Sequence, residues 1–219
     1  MVSSVLNSNM FHRFISAAIL IPGVLYVSYV GEFAFSVMLL LVTILMSFEW
    51  QRMIPVREAS ECKWKIMGII YIAIPVASFM WLRDGEFGYV GIMWLLVTVW
   101  GADSMAFFAG KILGGPKLSK ISPNKTWAGF YGALVGGTVF GALTLVYFDA
   151  DVGLFQVLYS FIVASLSQFG DLFESAIKRR LNIKDTGNVI PGHGGILDRL
   201  DSMIFSTIFV VLIVLFNLW

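Results

Sequence analysis

Charged side chains are scarce in this chain. Asp, Glu, Lys and Arg make up 13% of its 219 residues against 58% hydrophobic ones, and the mean hydropathy is +0.83. Several apolar stretches approach 18 residues, more than a soluble core of this length uses, so an integral membrane protein is expected. Cysteine is nearly absent too. The lone Cys62 excludes an intrachain disulfide framework and reads as an ordinary thiol in a short loop. There is no HExxH, Ser-His-Asp pattern, Walker loop or cysteine pair, which argues against zinc proteolysis, acyl-enzyme chemistry and P-loop ATP hydrolysis. Internal repeats and low-complexity segments are lacking as well. A transporter would usually show two related halves and mid-membrane charges.

What is present is a series of apolar runs. Hydropathy places about seven spans, at residues 14 to 30, 33 to 48, 66 to 82, 87 to 108, 129 to 148, 152 to 169 and 203 to 219, each near the roughly 20 residues that cross a bilayer. The expected fold is an all-α polytopic bundle forming a single transmembrane domain over residues 1 to 219. Its first run reads as a retained helix, because no small-residue cleavage site precedes the next one. Pro22 and Pro75 lie within spans, where neighbouring helices can satisfy the freed carbonyls. Gly132 and Gly136, then Gly137 and Gly141, form GxxxG patterns suited to close helix packing, a helix-helix dimer included.

Lys and Arg alternate between connections. Arg13 precedes the first span, the second loop carries Arg52, Arg57, Lys63 and Lys65, the fourth Lys111, Lys117, Lys120 and Lys125, and the sixth Lys178, Arg179, Arg180, Lys184 and Arg199. The first and fifth loops have none and the third has Arg83 alone. Because Lys and Arg resist translocation, the even-numbered loops and the N-terminus are expected in the cytoplasm, on one face with the polar site.

Two loops on that face carry chemistry, at about residues 101 to 128 and 170 to 202. In the first, Lys117, Lys120 and Lys125 can neutralise phosphate, Gly114 and Gly115 let backbone amides approach an anion, and Ser122 and Thr126 add hydroxyls. The plain alternative is a basic loop touching anionic headgroups. Asp103 ends an apolar span, where an acid costs roughly 2.5 to 3.5 kcal/mol unless it is paired or faces a wet cavity. It is a functional candidate or a partner for a lysine. In the second loop Asp171, Glu174, Ser175 and Lys178 share a helical face, as do Asp198, Asp201 and Ser202. Two such faces suit a hard cation bridging to a triphosphate, with Mg²⁺ the natural choice and a second, monovalent cation plausible. The alternative is that these acids form surface salt bridges, each under about 1 kcal/mol. Between them, Pro191-Gly192-His193-Gly194-Gly195 is mostly free of side chains and suited to wrapping phosphate. His193 can bind phosphate, act as acid or base, or cap a turn.

The stretch from Ser175 through Lys178, Arg179, Lys184, Asp185, Gly187, Pro191, His193, Gly194, Gly195, Asp198 and Arg199 to Asp201 resembles the signature of phosphatidate cytidylyltransferases. Asp103, Ala106, Ser122, Pro123, Lys125, Thr126, Trp127 and Gly129 resemble a second block of that family, so the similarity spans roughly residues 95 to 205. Ala128 stands where the family usually has an acid, and the chain is short for the family. The resemblance implies attack by the phosphate oxygen of phosphatidate on the α-phosphorus of CTP, giving CDP-diacylglycerol and pyrophosphate. It further implies that Asp171 and Asp198 hold the metal, with Glu174 and Asp201 completing its shell. Lys125 and Lys178 would assist catalysis. Ser122, Thr126, Arg179, His193, Gly194, Gly195, Arg199 and Asp103 would contact substrates. A bacterial inner membrane location and a homodimer are implied, with no nucleic-acid partner. The rival reading is a CTP-dependent kinase of a membrane lipid alcohol, which would need a base for the hydroxyl.

Overall fold

A computed structural model of the chain describes residues 16, 18–54, 61–85, 88–187, 189, 194–216 and 218. Its described residues form seven helices: α1 (Ala18–Val30), α2 (Glu32–Met53), α3 (Glu61–Asp84), α4 (Gly88–Leu113), α5 (Trp127–Tyr147), α6 (Leu154–Arg180) and α7 (Leu197–Leu215). Outside these helices Lys117 and Thr126 form an isolated antiparallel bridge. The all-α expectation therefore holds.

Four helices, α2 to α5, are long and apolar enough to cross a membrane, and α1 is a shorter apolar helix. Helices α6 and α7 are more mixed because each runs beyond its apolar span: α6 continues through Asp171, Glu174 and Lys178, and α7 begins with Asp198, Arg199 and Asp201. Hydropathy thus ends both elements where their charged turns start. Large apolar side chains cover the outside of the bundle, among them Phe33, Leu40, Ile69, Ile112, Val135 and Phe155. Such a surface is matched to lipid, and the chain is an integral membrane protein.

Helix contacts explain the glycine pattern. A Cβ on Gly129 would lie 2.8 Å from the Ala106 carbonyl, and one on Gly132 would lie 2.8 Å from that of Met105, so α5 sits directly on the α4 backbone. Gly141 faces α4 and α6 together; its Cβ would come 2.6 Å from both Thr98 Oγ1 and Ser160 Oγ. The GxxxG residues therefore serve packing within one chain, and a dimer interface is not needed to account for them. On α4, Trp94 is fully buried and donates its indole N–H to Ser160 on α6 (3.0 Å). Pro75 is buried inside α3, as read from the sequence. The end of α2 and the start of α3 are joined by the Trp50 indole N–H, which donates to the Trp64 carbonyl (2.9 Å).

Candidate active site

The two acidic helix faces meet because α6 and α7 nearly touch at Gly170. A Cβ there would collide with the Asp201 carbonyl and lie 3.3 Å from Ser202 Cα. Only glycine permits this approach, and it sets Asp171, Glu174 and Lys178 opposite Asp198, Asp201 and Ser202. Helix α4 adds Asp103, whose Oδ1 accepts from Gln168 Nε2 (3.2 Å) and whose Oδ2 accepts from Ser202 Oγ (3.2 Å). Three helices are tied at one carboxylate.

The loop after α4 closes the same space from the side. Gly114 and Gly115 take left-handed backbone angles (φ 62° and 98°) that turn the chain back. Leu118 N–H then donates to the Lys125 carbonyl (2.9 Å), and Lys125 N–H to that of Ser122 (3.1 Å). Thr126 caps α5 by accepting the Gly129 N–H (3.1 Å). This folded turn aims Lys125 at Asp171, 2.8 Å away, with Gln168 Oε1 at 3.5 Å.

Together these elements enclose a cavity of about 640 Å³ whose lining includes Asp103, Ser122, Lys125, Thr126, Asp171, Lys178, Asp198, Arg199 and Asp201. Lys178 Nζ joins Asp198 Oδ1 (2.6 Å) and Glu174 Oε1 (3.0 Å). Asp198 Oδ2 also accepts from the backbone N–H of Gly195 (2.9 Å) and Thr186 (3.0 Å) and from the Thr186 hydroxyl (2.9 Å). Burial alone would raise the Asp198 carboxyl; the hydrogen bond from Lys178 and the Gly195 and Thr186 amides outweigh it and hold the group below the ordinary range. Burial works in the same way to lower Lys178, yet its two carboxylates push it above the usual lysine value. Glu174 rises to about 8, driven by burial and opposed by Lys178. Its Oε2 is buried and has no hydrogen-bond partner among the described residues.

The sequence candidates separate into groups. Asp103, Ser122, Lys125, Thr126, Asp171, Lys178, Asp198, Arg199 and Asp201 all line the cavity. Glu174 is buried (1% exposed) behind Lys178. Arg179 lies to the side, donating from Nε to the Ile121 carbonyl (3.4 Å) and from Nη1 to that of Ile183 (3.2 Å), so it joins the two loops. Gly194 has φ 84°, and a Cβ there would come 3.0 Å from Asp198 Oδ2. The Gly195 amide already serves Asp198, so in this conformation it organises a carboxylate. Pro191, Gly192 and His193 lie outside the described residues.

The oxygen-rich donor set, including an unpartnered buried Glu174 oxygen, is chemically suited to a hard divalent cation. Among the described residues no three acidic, His or Cys groups are gathered into a ready-made metal cluster; lysines sit between the acids. Sequence reasoning missed three contributors. Gln168 is a neutral residue inside an apolar span, 2% exposed, bonded to Asp103. Thr186 supports Asp198. Glu49, 2% exposed near the end of α2, reaches the same loop from a helix far away in sequence. A lone acid closing an apolar run was the available signal for Glu49.

Comparison with known proteins identifies the family. A family model described as "Cytidylyltransferase family" matches residues 58–217. Among curated relatives, the phosphatidate cytidylyltransferase of Rickettsia bellii (strain RML369-C) is 37% identical over 210 residues, covering 91% of this chain and 88% of that protein. The protein of the same name from Helicobacter pylori (strain J99) is 43% identical over 135 residues, 61% of this chain and 51% of the relative. The one from Brucella abortus biovar 1 is 39% identical over 143 residues, 64% and 53%. The matched segment spans about half of the latter two proteins and most of the first. The chain belongs to the cytidylyltransferase family.

Proposed function

We propose that this chain transfers CMP from CTP to phosphatidate, forming CDP-diacylglycerol and releasing pyrophosphate. The observation that carries the reading is the single cavity where Lys125, Lys178 and Arg199 stand among Asp103, Asp171, Asp198 and Asp201 at the charged ends of apolar helices. A triphosphate and a lipid phosphate are both anions, and a membrane-surface cavity lined with cations and hydroxyls suits their meeting.

In the reaction a phosphatidate phosphate oxygen bonds to the α-phosphorus of CTP while the bond from that phosphorus to the β-phosphate bridging oxygen breaks. The acceptor is already ionised, so no strong general base is required. Positioning and charge neutralisation supply most of the acceleration in phosphoryl and nucleotidyl transfer. Lys125 and Lys178 would neutralise triphosphate oxygens, and Ser122 would donate to them. Thr126 shapes the wall through its cap, and Asp103 fixes α4 against α6 and α7. Asp171, Asp198 and Asp201 would hold Mg²⁺, with Glu174 behind them; when bound, the ion supplies charge neutralisation on the triphosphate. For that, the more open Asp171 would turn from Lys125 and free this lysine for phosphate, while the sunken Lys178–Asp198 pair keeps its place. The Lys and Arg alternation supports a cytoplasmic position for this face in a bacterial inner membrane. Phosphatidate would enter laterally from the bilayer.

The test is pyrophosphate release by purified protein given CTP, Mg²⁺ and phosphatidate, with diacylglycerol replacing phosphatidate as the control. Phosphatidate-dependent release is expected. CDP formation instead of pyrophosphate would favour the lipid-alcohol kinase.

A further inference from the structure

Glu49 lies in α2, outside the segment 58–217 matched by the family model. Its carboxylate is inserted at the start of α7. Oε1 accepts the backbone N–H of Ile196 (2.9 Å), and Oε2 accepts that of Leu197 (2.9 Å) and lies 3.3 Å from the Thr186 hydroxyl, whose single proton is closer to Asp198. Helix N-termini leave unpaired N–H groups and carry partial positive charge, so a carboxylate delivered from another helix is well stabilised there. Among the described residues no Lys or Arg forms an ion pair with Glu49, which leaves these donors as its compensation.

The loop is built around this acid. A Cβ on Gly187 would lie 2.8 Å from Glu49 Oε1, and one on Gly195 would lie 2.6 Å from Oε2 while colliding with the Thr186 hydroxyl. Both glycines are required so that the chain can wrap closely round Glu49. The Thr186 hydroxyl lies within reach of both Glu49 (3.3 Å) and Asp198 (2.9 Å). Glu49 and Asp198 therefore both hold the ends of the segment that runs from Thr186 to the start of α7. On α2 the neighbouring Trp50 is buried and its indole N–H is bonded to the Trp64 carbonyl in the first turns of α3, which ties this end of α2 to α3.

We infer that Glu49 is a positioning residue for the transfer reaction: it locks the start of α7 and the glycine turn so that Asp198 and Lys178 are held in reacting geometry. The inference rests on the proposed cytidylyl transfer for its kinetic consequence, and on geometry alone for its structural one. Misplacement of a reacting group by about 1 Å can cost on the order of a hundredfold in rate.

The experiment uses the full chain in detergent, wild type beside Glu49→Gln and Glu49→Ala. The isosteric E49Q turns an amide N–H₂ toward one backbone donor while preserving volume, and it carries the test should E49A fail to fold. Expected for E49Q is a kcat for pyrophosphate release lowered about a hundredfold, a KM for phosphatidate within about twofold of wild type, and a thermal midpoint within a few degrees. Amide hydrogen exchange is expected to quicken at Ile196 and Leu197 by about tenfold or more and to stay unchanged in α4 and α5. An unchanged kcat in an active preparation would overturn the inference, as would unchanged exchange at those amides or exchange raised equally throughout the bundle. If wild type itself releases no pyrophosphate, the reading of the reaction fails and the exchange contrast alone decides whether Glu49 holds the turn.

Discussion

Two lysine–carboxylate pairs share the cavity, and they are built differently. Lys125–Asp171 is the open one: the Asp171 side chain is 34% exposed and its contacts come from Lys125 and from Ser175 at 3.5 Å. Lys178–Asp198 is sunk, with Asp198 at 8% exposure and its second oxygen receiving Gly195 N–H, Thr186 N–H and the Thr186 hydroxyl. Open pairs in high dielectric contribute under about 1 kcal/mol, whereas removing one partner of a buried, hydrogen-bonded pair costs several. The difference suggests a division of labour. One side of the cavity is fixed before substrate arrives, and the other is free to exchange partners when a polyanion enters.

Substitutions can break that comparison. Asp198→Ala should have the largest effect, lowering pyrophosphate release about a thousandfold or more and destabilising the fold by on the order of 3 kcal/mol, because Lys178 and two loop amides lose their acceptor. Denaturation in detergent beside the activity assay measures both. Asp171→Asn should also depress turnover, by about a hundredfold, while leaving the thermal midpoint within a few degrees; an equal loss of stability in both variants would erase the distinction between the pairs. Gly132→Leu should do the reverse. The side chain would enter the α4 backbone and destabilise by about 1 to 3 kcal/mol, with kcat per folded molecule little changed. Lys65→Ala is the smallest case: its pair with Glu61 is an exposed i,i+4 contact, and activity and midpoint should both match wild type.

Much of this arrangement was legible in the sequence, for identifiable reasons. Apolar length marks helices well, and helical spacing alone put Asp171 with Glu174 and Lys178, and Asp198 with Asp201. What spacing cannot encode is which faces meet. That rests on Gly170 under the Asp201 carbonyl, a contact with no local signal. Hydropathy bounds the apolar spans at 169 and 203 because it sees composition, and it is the helical spacing of the charged residues that carries α6 and α7 through them. GxxxG was rightly read as a packing device, but its partners, α4 and α6 of the same chain, are invisible in a one-dimensional pattern. Glu49 escaped because its partners are backbone amides 147 and 148 residues away. Gln168 escaped because a neutral amide in an apolar span carries little weight by composition.

The most direct test of the central claim follows the phosphorus. Purified protein in phosphatidate-containing vesicles is given Mg²⁺ and CTP labelled either at the α- or at the γ-phosphate, and the lipid phase is counted. Label entering lipid from the α position and remaining in water from the γ position is the predicted result. Label entering lipid from the γ position would contradict cytidylyl transfer and assign the cavity to phosphate transfer.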